Sequence, residues 1–183
     1  DEPDGPTYQW VDIVGRGVDL YMNDDENQGP FDLAFDFPFY GNVFSQFYVC
    51  SNGFVSFTST SNSLGNTMLP DPYAPENLLA GLWYYLYPPG GGQVIYYAAP
   101  DSFVISWIDV PHWAGGGPYT FQMILLASGR IVYNYDQINY PDDSHTIGIQ
   151  NGDGSIGLTV AYDQAYSYGG LAVLFTSGWL SAD

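Results

Sequence analysis

The chain has 183 residues, 46% of them hydrophobic and 18% aromatic. That is material for one β-sandwich or barrel whose core buries about two-thirds of the unfolded surface. Twenty acidic residues face two basic ones, Arg16 and Arg130, and the formal charge of −18 excludes nucleic acid and argues against anionic lipid, since both need a basic face.

In chain order, the first residues carry no leader of basic then apolar character, and Asp1 reads as the start of a processed mature protein. Residues 1–30, rich in Asp, Gly and Asn, read as a looser lead-in holding one strand, Tyr8 to Val14. Within it Asn23-Asp24-Asp25-Glu26-Asn27 gathers hard oxygen ligands in one turn and is the candidate Ca²⁺ site. It is not an EF-hand, because no Gly holds the sixth loop position and no Glu the twelfth. Asp142-Asp143, and Asp1 with Asp4, are lesser candidates, and a solvated acidic turn is the competing reading.

Phe31-Asp32-Leu33-Ala34-Phe35-Asp36-Phe37 alternates large apolar with small or acidic residues, which predicts a strand with its four apolar side chains on a core face. Phe47 to Cys50 and Phe54 to Phe57 flank Ser51-Asn52-Gly53, a hairpin with Asn-Gly at its turn. Cys50 is the only cysteine, which excludes an internal disulfide; its apolar run predicts a buried, inert thiol. Gln93 to Tyr97 pairs with Phe103 to Val110, and Phe121 to Leu126 with Ile131 to Tyr135 across Ser128-Gly129. Thr146 to Gln150 and Ile156 to Tyr162 bracket a Gly-rich turn, and Leu171 to Phe175 is the last strand.

No run reaches the roughly 20 apolar residues that span a bilayer, and helical periodicity is absent. The 22 Gly and 13 Pro punctuate the chain at the spacing of a sandwich. The expected fold is an all-β, antiparallel, jelly-roll-like sandwich with long Gly/Pro/Asp-rich loops. It is expected to fill one domain, 1–183: a lead-in to 30, a core over 31–176, and a short tail over 177–183 with Trp179.

The run Phe37-Pro38-Phe39-Tyr40-Gly41, followed by Tyr48-Val49-Cys50-Ser51-Asn52-Gly53-Phe54-Val55-Ser56-Phe57, resembles the nidogen-like β-domains. The same pattern occurs in plexin-domain-containing proteins and in secreted bacterial surface proteins. Leu79-Ala80-Gly81-Leu82-Trp83, Phe103 to Trp107, Tyr119 to Leu125, Thr146 to Asn151 and Leu171-Ala172-Val173 extend it over roughly 31 to 175. The resemblance implies an extracellular domain engaged in adhesion or matrix contact. Relatives often carry two acidic residues after the tryptophan matching Trp83; Tyr84 and Tyr85 stand there, and Trp83 to Pro89 reads as a sticky rim.

Catalytic signatures are sparse. Only His112 and His145 offer imidazole, neither beside a Gly-x-Ser-x-Gly elbow. His112 reads as a loop residue bonded locally; His145, among Asp142-Asp143-Ser144, as a solvated surface residue or one sharing a proton with an acid. One Cys and two distant His do not make a zinc set. Gly90-Gly91-Gly92 and Gly115-Gly116-Gly117 lack the Lys and helix of a phosphate loop and read as flexible loop tips. What remains is aromatic surplus: Trp83, Tyr84, Tyr85, Tyr87, Trp113, Tyr119, Tyr166 and Tyr168 fall in or near Gly/Pro-rich loops and are the candidate ligand or interface residues. The expected function is non-catalytic and extracellular or cell-surface: a structural or adhesive protein that assembles with itself into a fibre or sheet. The alternative is the carbohydrate-binding module of a secreted enzyme. Beyond Ca²⁺, no cofactor is expected.

Overall fold

The computed structural model describes residues 5–140 and 142–176. Asp1, Asp4 and the expected tail with Trp179 lie outside the described residues. Strands of period two need a partner for their apolar face, and the chain supplies it as two six-stranded antiparallel sheets. The strands are β1 (Val18–Asp19), β2 (Asn27–Phe39), β3 (Asn42–Cys50), β4 (Phe54–Ser56), β5 (Leu78–Trp83) and β6 (Gln93–Ala98). They continue as β7 (Ser102–Val110), β8 (Tyr119–Leu126), β9 (Ile131–Ile138), β10 (Thr146–Gln150), β11 (Gly157–Tyr162) and β12 (Leu171–Phe175). Among the described residues, helix is confined to a 3-10 turn at Pro88–Gly90.

One sheet runs β1-β6-β7-β8-β9-β12, the other β11-β10-β5-β4-β3-β2. Two meanders, β2 to β5 and β6 to β9, therefore occupy opposite layers, because most of their connections are short and leave each strand beside its predecessor. β10 then returns to pair with β5, and β12 crosses back to β9.

The alternation over 31–37 is realised: Leu33 and Phe37 are buried, and Phe31 and Phe35 pack half-buried against the same core. The layers meet where Phe47 of β3 reaches Phe103 of β7, ring centroids 4.2 Å apart; within one layer, Trp107 of β7 stacks on its cross-strand partner Phe121 of β8 at 4.9 Å and 5°. Three polar links cross this dry interior. Tyr135 donates its hydroxyl to the Gly81 carbonyl at 2.6 Å, Tyr133 to that of Gly148 at 3.2 Å, and Trp107 Nε1 to that of Ser51 at 3.2 Å. Each satisfies a polar group that burial would otherwise strand. Burial also holds both phenols well above their ordinary pKa, so they remain donors.

Two local expectations are corrected. Tyr8 to Val14 is not a strand. Side-chain amides strap it across the outer face of β8 and β9: Val11 N–H donates to Gln122 Oε1 at 2.9 Å, Gln122 Nε2 to the Val11 carbonyl at 3.1 Å, and Asn134 Nδ2 to the Gln9 carbonyl at 2.8 Å. These amides imitate a strand edge, and Ile13 is buried with Ile95 and Val104 beneath the strap. Conversely β5 was not expected as a strand from its own pattern. Every one of its residues is buried, because its outer face is roofed by the 58–77 loop through Leu69 and Ala74, so it shows no alternation.

Candidate functional site

The aromatic set divides once the chain folds. Trp83, Tyr84 and Tyr119 are buried, which overturns their expected place on an exposed rim. Trp83 packs edge-on against Phe54 under the 58–77 loop and donates Nε1–H to the Ser63 carbonyl at 3.0 Å. Tyr84 turns inward against Tyr119, ring centroids 5.8 Å apart. Their neighbours face out. Tyr85 lies parallel to Trp113, centroids 5.2 Å apart and planes 1° off, and Trp113 is 53% exposed. The pair is held by backbone: Trp113 N–H donates to the Tyr85 carbonyl at 3.0 Å, Tyr87 N–H to that of Pro111 at 2.8 Å, and Leu86 bridges His112. The 84–90 and 111–115 segments thus form one ledge with Tyr87 half-buried at its base.

The same loops border a cleft of about 560 Å³ lined by Asp19, Tyr21, Asn23, Pro88, Pro89 and Asp109, among others. Its carboxylates are already engaged: Asp19 Oδ1 accepts Tyr21 N–H at 2.9 Å within its own turn, and Asp109 Oδ1 on β7 accepts the Thr120 hydroxyl of β8 at 3.3 Å.

The acidic turn adjoins this end. Glu26 Oε2 accepts from the Asn23 backbone at 2.5 Å and from Asn23 Nδ2 at 3.1 Å. Asp25, at φ +46°, accepts Asn52 Nδ2 on Oδ1 at 2.8 Å. Asn27 opens β2 and donates Nδ2–H to the Ser61 carbonyl at 2.7 Å. Burial, then the Asp25 charge, raises the Asp24 carboxyl above its usual range. Tyr84 N–H donates to the Asn52 carbonyl at 3.1 Å and Asn52 in turn to Asp25, which places ledge and turn in one neighbourhood; desolvation and then the charges of Asp24 and Asp25 raise the Tyr85 pKa. Among the described residues no three His, Cys, Asp or Glu side chains gather as a metal centre, so any cation here must also use amide or backbone oxygens.

Of the reactive groups, Cys50 is buried and free, its thiol pushed up to about 12 chiefly by burial, so little thiolate forms. His112 accepts Ala114 N–H on Nδ1 at 3.2 Å, a local loop bond as expected. His145 corrects its reading as a solvated residue: it is fully buried, and neither ring nitrogen has a hydrogen-bond partner. Desolvation lowers its pKa to about 4 against the opposing pull of Asp142, Asp163 and Asp143. The unfolded chain therefore binds the extra proton between about pH 6.5 and 4, and stability falls as pH drops through that window. His145 accounts for up to about 3 kcal/mol of that loss. Urea denaturation from pH 7 to 4 is expected to show a shallower decline for His145→Phe; parallel curves would refute the assignment.

Tyr166 and Tyr168 are exposed as expected, but elsewhere, beside a groove of about 340 Å³ along the edge strand β12. Sequence reading missed three more exposed rings, Tyr21 at 83%, Tyr73 at 96% and Tyr140 at 81%. Tyr73 and Tyr140 each touch a proline in sequence, in Pro72-Tyr73 and Tyr140-Pro141, a turn signal that could have flagged them.

No helix of the described residues is long and apolar enough to cross a membrane. No solved structure matches the chain. The family model of NIDO-related (nidogen-related) domains does match it, over residues 4–170. That span exceeds nine-tenths of the 183 residues and contains every core aromatic but Phe175, the ledge and the acidic turn, and the chain belongs to the NIDO-related family.

Proposed function

We propose that this is a secreted, non-catalytic structural or adhesive domain that self-associates at the cell surface or in the matrix. The observation that carries the reading is the exposure of large rings on separate loops: Tyr21, Tyr73, Tyr140 and Trp113, with Tyr166 and Tyr168 beside the β12 edge. Such rings are interface currency, and they are scattered rather than gathered around a reactive group. An edge strand with Leu171 and Val173 only half-buried invites strand addition from a neighbour. Cys50 and His145 are sealed inside, and the cleft carboxylates Asp19 and Asp109 are engaged by the Tyr21 N–H and the Thr120 hydroxyl, which supports a non-catalytic role.

Copies carrying −18 repel each other, so association requires screening; at about 0.15 M salt the Debye length is about 8 Å. Sedimentation velocity and negative-stain microscopy at that ionic strength are expected to show discrete oligomers or ordered fibres that dissociate at low salt. Monomers at every concentration and salt would overturn self-association. A second reading rests on the Tyr85–Trp113 ledge: a flat aromatic surface beside a cleft with Asp19, Asn23 and Asp109 suits sugar stacking. Glycan retention lost in Trp113→Ala, without change of oligomeric state, would favour that reading.

A further inference from the structure

At the acidic turn, three shielded oxygens have no hydrogen-bond donor: Oδ1 of Asp24, of Asn27 and of Asn52. Buried acceptors are almost always met, so three unmet oxygens on two segments that are hydrogen-bonded to each other call for a partner. Asn52 is fully buried, and its Nδ2 donates to Asp25 Oδ1 at 2.8 Å and to the Asn62 carbonyl at 3.4 Å. Both partners are pure acceptors, so the amide cannot be turned round, and its carbonyl oxygen is left unmet beside the Asp25 carboxylate. Asn27 is pinned the same way by the Ser61 carbonyl. The segments that carry these oxygens are tied together: Glu26 N–H donates to Ser51 Oγ at 3.0 Å, Ser51 N–H to the Glu26 carbonyl at 2.8 Å, and Asn62 Nδ2 to the Asp25 carbonyl at 2.8 Å.

Unmet oxygens with two carboxylates and no nitrogen or sulfur ligand are the donor set of a hard cation. We propose that Asp24, Asp25, Asn27 and Asn52 form a Ca²⁺ site that locks the turn before β2 onto the β3–β4 turn. Glu26 is not among the ligands, because it is committed to Asn23; those two residues shape the turn. Asn52 joins from 25 or more positions along the chain, beyond the reach of any local motif. The site is joined to the ledge by backbone, since Tyr84 N–H donates to the Asn52 carbonyl at 3.1 Å, so the ion would also steady the Tyr85–Trp113 ledge. This inference stands apart from self-association, since a monomer could bind the ion equally well.

The test uses the full chain, stripped with chelator. Tb³⁺ is expected to bind one saturable site with emission sensitised by Tyr85, and Ca²⁺ to displace it, with Mg²⁺ a poor competitor. In calorimetry, Asp24→Asn and Asp25→Asn are each expected to weaken Ca²⁺ binding about tenfold or more, since ligand charge sets affinity in such sites. Asp142→Asn, an acid outside the site, is expected to leave it unchanged. Tb³⁺ binding that never saturates, Mg²⁺ competing as well as Ca²⁺, or Asp142→Asn weakening binding as much as Asp25→Asn would overturn the site in favour of diffuse attraction to the −18 surface. Competition on the unmodified chain decides the matter even if a variant fails to fold.

Discussion

Replacing Trp107 by alanine is expected to cost about 3–5 kcal/mol, a large part of the roughly 5–15 kcal/mol that holds a domain of this kind together. Trp107 is wholly buried on the inner face of β7 and makes two distinct contributions. Its ring stacks on Phe121, whose own ring continues towards Tyr135 at 6.3 Å, so truncation opens a void in the middle of an aromatic row. Its indole N–H also meets the Ser51 carbonyl in the opposite layer, and losing it leaves that buried acceptor with one partner fewer. Trp107→Phe should separate the two terms by restoring most of the volume without the donor, and should recover more than half of the loss. Urea denaturation followed by near-ultraviolet dichroism reads both variants; a loss below about 1 kcal/mol for the alanine would show that the layers do not depend on this contact.

Gly53→Ala is expected to be as damaging, although it removes nothing. Gly53 sits at φ +82°, and a Cβ added there would stand 2.0 Å from the Leu82 carbonyl oxygen and 2.9 Å from its carbon. That neighbour cannot swing aside, because Leu82 N–H donates to the Gly53 carbonyl at 3.1 Å and Leu82 belongs to the central strand β5. The backbone conformation alone costs about 1 kcal/mol for an L-residue. The clash adds to it, and a total of about 3 kcal/mol or more is expected, seen as a Tm depressed by many degrees. Gly115→Ala isolates the first term: at φ +92° it has nothing within 4 Å, so it should cost only about 1 kcal/mol. Equal effects at both positions would mean that the close approach of the β3–β4 turn to β5 is not a constraint.

The elements read best from sequence were those with one wet face. Phe31 to Phe37 alternated because β2 is half-exposed, and the hairpins at Asn52-Gly53 and Ser128-Gly129 were legible because tight turns have few chemical solutions. β5 was illegible as a strand for the opposite reason, since both of its faces are covered, the outer one by the 58–77 loop that leads into it, and no wet face is left to alternate. The Tyr8 to Val14 segment alternates enough to suggest a strand, yet its hydrogen bonds go to Gln122 and Asn134, whose positions no local pattern announces. At the candidate site, composition announced aromatics and an acidic turn; the fold leaves Trp113 exposed and Tyr85 half-buried beneath it. Composition could not separate them from Trp83 and Tyr84, which are buried.

By itself, then, the sequence determined what short-range chemistry determines: an all-β chain of alternating strands, an acidic chain without lysine, a thiol within an apolar run, and the motifs of its family. The tertiary structure alone decided which rings reach solvent, that His145 is sealed without a partner, and that Asn52 delivers a buried, unmet oxygen beside Asp25. The physical reason is that burial and unmet hydrogen bonds are properties of what lies across a sheet or over a loop. Those neighbours are brought together by strand pairing over tens of residues, a separation at which local pattern carries no information.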